Sequence, residues 1–385
     1  MVLQAIEKMR AALAWRPEEL ASARASGRKV IGWTGYNVPE ELIYACGMIP
    51  VRISRGGSSR LAEMGANYIS TQNCFFLRQC VGPFAEDVDP YIKQIDALVT
   101  DTTCLQSHRM SSLVEHYFQV NLLQLGMPKD PQRPEARRYF AHEVRFLVAR
   151  LEKIAGRELD TARLAETLEL YQNIREAVRE LYRRVWTTST LSWRTVNEMV
   201  HAGYLLDRVV YLGLLQELLQ ESKEDPGEKL PSQSVRVLLA GSPMAPGDNK
   251  LIEIVEKSGA VIAGDLLWSG FAQFTDLDFK ECSLQGLIDS YLDRLPHAAL
   301  PFMEVVTDRK LIKLLDVVRQ SGARGVIYYS LRFCDPFSFK MLVTKDYLKL
   351  AGVPLMEAQT DFGEMDIETL RTRVEAFLEM LAIRS

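Results

Sequence analysis

The chain has 385 residues, 47% hydrophobic and 25% charged, with a formal net charge of -4. That length is too great for one ordinary core, so two or more domains are expected. The mild acidity without a long basic run argues against a nucleic-acid partner, and no apolar run approaches the roughly eighteen residues of a membrane span.

The first twenty residues, MVLQAIEKMRAALAWRPEEL, read as an amphipathic helix and lack the features of a signal peptide. A cytoplasmic location is therefore expected, where disulfides are disfavoured. Arg28 to Trp33 reads as a strand, and NVPEELIYACG as a helix capped by Asn37, with Pro39 in its first turn and Gly47 as its stop. Met48 to Ile53 and Ile95 to Asp101 read as further strands, a βαβ pattern that predicts a parallel sheet. Pro83 is expected to break the segment that carries Cys74 and Cys80. From Pro134 to Leu219 the apolar residues recur at helical spacing, and the charged, Pro- and Gly-bearing stretch Glu221 to Ser234 reads as a linker. Strands at VRVLLAG, AVIAGD, GVIYYS and VPLMEA then alternate with helices around 249–258, 337–350 and from Asp366. The expected organisation is an N-terminal α/β domain (1–133), a helical segment with linker (134–230) and a C-terminal α/β domain (231–385), each α/β part with a small parallel sheet flanked by helices.

The six cysteines are Cys46, Cys74, Cys80, Cys104, Cys282 and Cys334. Cys104 and Cys334 each follow a predicted strand in a polar or turn context, and ligands of open α/β sheets bind at the carboxyl ends of strands. Cys46 and Cys282 read equally well as small core hydrophobes. Zinc is a poor fit, because short paired cysteine spacings are absent. His108, four residues after Cys104, could serve a catalytic thiol, although such a histidine is more often a simple hydrogen-bonding residue. A dispersed iron–sulfur site is one candidate among these. No G-x-x-x-x-G-K-[ST] loop and no GxGxxG are present.

The stretch GWTGYNVPEELIYACGMIPVRI, with its TG-x-x-x-PEEL-x-x-A-x-G-x-x-P-V run, resembles the N-terminal signature of the 2-hydroxyacyl-CoA dehydratase and benzoyl-CoA reductase family. Cys74 and Cys104, YYSLRFCDPFSF and GDLLWSG match further landmarks in order. The resemblance implies two α/β domains with a 4Fe–4S cubane in the cleft between them, held by Cys74, Cys104 and Cys334. It also implies low-potential electrons from a separate ATP-hydrolysing iron–sulfur activator. The extra Cys46, Cys80 and Cys282 resemble the family's double-cubane branch, in which two triads of thiolates hold an 8Fe–9S cluster. The expected function is thus a double-cubane reductase of small molecules, a homodimer matching a two-fold activator. The alternative is a single-cubane subunit of a (R)-2-hydroxyacyl-CoA dehydratase or benzoyl-CoA reductase. Arg78, His108, Arg109 and Arg332 are candidates to stabilise a reduced cluster; Phe75, Phe76, Tyr328, Tyr329 and Phe333 are candidates to exclude water. Trp268 and His297 are candidates to line a pocket.

Overall fold

Helix α1 (Gln4–Ala25) leads into β1 (Val30–Thr34), α2 (Glu40–Ala45), β2 (Ile49–Arg52), α3 (Ser59–Gly65), α4 (Phe75–Glu86), β3 (Ala97–Asp101), α5 (Leu105–Phe118) and β4 (Leu122–Leu125). Four helices follow: α6 (Pro134–Ala155), α7 (Thr161–Thr187), α8 (Trp193–Gly203) and α9 (Arg208–Glu224). The second half runs β5 (Arg236–Gly241), α10 (Lys250–Lys257), β6 (Val261–Leu267), α11 (Leu284–Asp293), α12 (Arg309–Ser321), β7 (Gly325–Leu331), α13 (Asp335–Leu350), β8 (Leu355–Thr360) and α14 (Ile367–Ile383). The computed structural model describes residues 3–54, 56–86, 89–131, 133–188, 190–224, 234–300 and 308–383.

Two four-stranded sheets result, ordered β2-β1-β3-β4 and β6-β5-β7-β8. Every pairing is parallel. Helices cover both faces, so β1, β3 and β7 are buried along their whole length and read as continuous apolar runs rather than alternating ones. The α/β class and the paired small parallel sheets expected from the sequence are what the fold shows. Strand β4 is an addition: its four residues, LLQL, are too short for a periodic signal.

Helix α7 packs against α2, α8 and α9 and also against β6, α11 and α12, so it bridges the two halves. Its Arg175 makes a buried ion pair with Glu41 of α2, and Tyr291 of α11 donates to the other oxygen of Glu41 at 2.8 Å. Nearby, Arg208 pairs with Glu40 and donates to the Tyr171 hydroxyl at 3.0 Å.

Three local expectations are corrected. Asn37 does not cap α2; Pro39 stands at that position, and the Asn37 amide is drawn instead to Thr103 at 2.8 Å. Pro83 lies inside α4 rather than ending it. Close packing on α3 holds that helix: a Cβ on Gly65 would come within 1.9 Å of the Arg78 carbonyl oxygen, and one on Gly82 within 2.3 Å of the Leu61 carbonyl oxygen. Helix α9 runs through Glu224, into the stretch read as a linker; residues 225–233 lie outside the described residues.

Candidate functional site

In each sheet the strand order reverses between the first strand and the third, and the loops leaving those strands open a crevice at their carboxyl ends. The two crevices face one cavity of about 510 Å³. Thr34 at the end of β1 with Gly35 and Tyr36 after it, and Asp101 at the end of β3 with Thr103 and Cys104 after it, form one wall; Pro243 after β5 and Cys334, Pro336 and Phe337 after β7 form the other. Cys74 completes the set of three cysteines on the lining.

All three sit at the start of a helix. Cys104 is the N-cap of α5, Cys334 is the N-cap of α13, and Cys74 directly precedes α4. Unsatisfied amide groups and the positive end of the helix dipole favour negative charge there. The amides of Phe76 and Leu77 donate to the Cys74 sulfur, and those of Gln106 and Ser107 to the Cys104 sulfur. The Cys334 thiol donates to Cys74, which holds Cys74 below the usual thiol range and Cys334 well above it. Burial pushes Cys104 up.

Polar anchors fix both walls. Asp101 accepts from the backbone N–H of Asn37 at 2.6 Å and of Thr103 at 2.9 Å, tying the β1 and β3 exits together. Gly35 is required at this point: its φ is +131°, and a Cβ would stand 2.5 Å from an Asp101 oxygen. Lys129 donates to the carbonyls of Thr102 and Thr103 at 2.8 and 2.7 Å, which latches the Cys104 loop. In the second half Asp265 of β6, which leads into the WSG turn, accepts from Tyr182 at 2.6 Å, Trp193 at 2.7 Å, and the amides of Leu267 and Phe271 at 2.9 Å. That turn presents Trp268 to the cavity.

His297 also lines the cavity, so the pocket role expected for Trp268 and His297 matches their position. Its Nδ1 accepts from the Ala299 N–H at 3.0 Å, and burial with the nearby Lys310, Lys129 and Arg294 charges holds the imidazole well below its ordinary range. The ring is thus neutral, with its proton on Nε2. His297 borders a second cavity of about 590 Å³, lined also by Lys310, as well as the first. There the Lys310 ammonium lies 4.7 Å from the centre of the Phe337 ring, and burial pushes it down to about 8.

The other cysteines lie elsewhere, and all six are free. Cys80 is fully buried in α4, hydrogen-bonded to Ser54 and pushed up to about 12 by burial; it feels the charge of Cys74 but does not line the cavity. Cys46, the C-cap of α2, has its carbonyl bound by Arg157 at 3.0 and 2.9 Å, and burial pushes its thiol up to about 11. Cys282 stands half-buried before α11, near Glu169 of α7. Of the flanking candidates, Arg78 is buried over the Phe75 ring at 3.7 Å. Arg332 pairs with Asp361 at 3.2 Å, not with Asp101 or Asp335. Arg109 is exposed, and the buried Nδ1 of half-buried His108 has no partner. Phe76 lines the cavity, Phe333 is 44% exposed, and Tyr328 and Tyr329 are core residues bonded to the Phe337 carbonyl and to Asp248. Sequence reasoning did not single out Tyr36, Asp101, Lys129, Lys310 or Phe337 as site residues; the polar cluster TDTTC at a strand end was the available signal for Asp101.

Residues 35–381 match the family described as 2-hydroxyglutaryl-CoA dehydratase, D-component. The chain is 25% identical over 371 residues to the beta subunit of (R)-2-hydroxyglutaryl-CoA dehydratase from Acidaminococcus fermentans, covering 94% of this chain and 95% of that one. It is 21% identical to the (R)-phenyllactyl-CoA dehydratase beta subunit of Clostridium sporogenes, over 92% of each chain. It is 22% identical to a benzoyl-CoA reductase subunit of Thauera aromatica, over 93% of this chain and 92% of that one. With nearly its whole length matched, from the β1 exit to the last helix, the chain belongs to the 2-hydroxyglutaryl-CoA dehydratase D-component family.

Proposed function

We propose that the chain is the iron–sulfur subunit of a (R)-2-hydroxyacyl-CoA dehydratase or a related aryl-CoA reductase, with one 4Fe–4S cubane held by Cys74, Cys104 and Cys334. The observation that carries this is the meeting of three thiols, two buried and one half-buried, each at a helix start, on one cavity between the carboxyl ends of both sheets. Among the described residues no three Cys, His, Asp or Glu side chains converge on a single ion. A cubane fits that arrangement, because it takes one thiolate at each of three corners rather than all at one point. When bound, it would accept one low-potential electron at a time from a separate ATP-hydrolysing activator. The chain's own residues supply the rest. Helix-start amides stabilise the thiolates, Trp268, Phe76 and Phe337 keep water from the sulfurs, and neutral His297 offers an N–H beside the cavity.

The double-cubane reading rests on the cysteine count. The placement of Cys46 against Arg157 and of Cys282 near Glu169, away from the thiol cavity, favours the single cubane. Similarity to chains that are named as subunits of larger enzymes supports a hetero-oligomeric assembly over the homodimer expected from the sequence. Anaerobically prepared protein is expected to hold about four irons and four acid-labile sulfides per chain. About eight irons would restore the double cubane, and none would sink both readings.

A further inference from the structure

Arg52 ends β2 at the junction of the two halves and is only 4% exposed. Its guanidinium lies 5.1 Å from the ring centre of Trp33, 4.2 Å from that of Tyr204 and 4.9 Å from that of Trp268. These rings meet its faces, but Nε and Nη2 have no hydrogen-bond partner, and no described carboxylate pairs with it. A buried cation left in this state is costly, because face-on rings return only part of the hydration that burial removes.

No anion among the described residues answers it. Cys80, whose thiolate Arg52 would favour, is pushed up to about 12 by burial. Tyr204 is likewise pushed up to about 12 by burial, and burial together with Arg52 pushes His201 down to about 3, so all three are neutral at pH 7. Arg52 instead faces a cavity of about 320 Å³ shared with Ser54, His201, Met244 and Ser269. Its interior holds little more than one water-sized occupant. The buried Nε2 of His201, on the same lining, also lacks a partner.

We propose that this cavity is a binding site for one compact monovalent anion, anchored by Arg52. A single positive charge selects a single negative one, and the narrow interior excludes polyatomic organic anions. The polarisable walls, the Met244 thioether and the Tyr204 and Phe76 rings, suit a soft anion such as bromide, chloride or hydrogensulfide. Residues from both halves and from α8 line the site, so the bound anion ties them together directly behind Trp268 and Phe76, which wall the thiol cavity. The site does not depend on what the three thiols hold.

The test uses the protein as purified without oxygen. Thermal unfolding is followed across a series of sodium bromide concentrations, with sodium gluconate keeping ionic strength constant, for wild type, Arg52→Lys and Arg52→Gln. Wild type is expected to gain Tm in proportion to the logarithm of bromide above a midpoint. The midpoint should rise at least tenfold in R52K, which keeps the charge but loses the guanidinium fork, and the dependence should vanish in R52Q. Crystals of wild type grown in bromide should show an anomalous peak beside the Arg52 guanidinium, a readout that stands even where a variant does not fold. Identical wild-type curves in bromide and gluconate, a bromide response in R52Q equal to wild type, or no anomalous peak beside Arg52 would each overturn the proposal.

Discussion

The two sheets repeat one plan. In each, the second strand lies outside the first, the third and fourth lie on its other side, and a cysteine follows the third strand at the start of a helix: Cys104 after β3, Cys334 after β7. Both halves also bury a carboxylate that gathers backbone amides near the cavity, Asp101 in one and Asp265 in the other. They differ in what is inserted between the second and third strands. The first half inserts α3 and α4, which bring Cys74; the second inserts α11, α12 and the turns that bring His297 and Lys310. The repeated scaffold thus provides two equivalent thiols, and the unequal insertions give the cavity a third thiol on one side and, on the other, a proton-bearing ring that also borders the neighbouring cavity of Lys310.

The sharpest way to break this equivalence is to remove its thiols one at a time. Cys104→Ser and Cys334→Ser are expected to lose iron to the same extent, at least tenfold, as is Cys74→Ser. Cys46→Ser and Cys282→Ser should keep the wild-type iron content. Unequal losses from Cys104 and Cys334, or a loss from Cys46, read by iron and sulfide analysis of anaerobic protein, would show that the halves do not contribute alike.

Next in size are the two buried carboxylates. Asp265→Ala strands the Tyr182 hydroxyl and the Trp193 N–H together with two amides, a destabilisation on the order of 4 kcal/mol. Asp101→Ala strands two amides and should cost about half as much. Denaturant unfolding measures both, and a larger loss from Asp101 would contradict the ranking. Gly65→Ala probes the insertion that the second half lacks. The added methyl meets the Arg78 carbonyl, so a loss on the order of 3 kcal/mol is expected from overpacking. The shift of α4 should also weaken iron retention through Cys74.

The smallest effect is pH-dependent. Burial raises the Asp248 carboxyl to about 6 from an unfolded value of 3.8. The folded state therefore favours the proton, and that contribution is full below about 3.8 and lost as pH rises through about 6. Asp248→Asn can keep accepting from Tyr329 and carries no charge, so relative to wild type it should gain on the order of 2 kcal/mol between pH 4 and pH 7. A flat difference across that range would place the Asp248 proton elsewhere.

Much of this was legible beforehand, for local reasons. Apolar runs such as VIGW and GVIYY must be buried strands, and polar turns directly after strands, TDTTC and SLRFCDP, mark the cavity wall. Pro83 misled because its effect was judged within its own segment, whereas Gly82 and Gly65 let α3 and α4 pack too closely for that helix to end there. Asn37 misled for the same kind of reason: a side chain suited to capping met a stronger partner across the sheet in Thr103.

By itself, the sequence determined two parallel α/β halves, a helical layer between them, and a stock of six thiols with two placed at strand ends. Only the tertiary structure decided which thiols share a cavity, setting Cys74 beside Cys104 and Cys334 while Cys46 faces Arg157 and Cys282 stands near Glu169. The reason is that periodicity and turn chemistry act over a few residues, whereas the meeting of side chains 30 or more positions apart depends on how α3, α4 and α7 pack between the sheets.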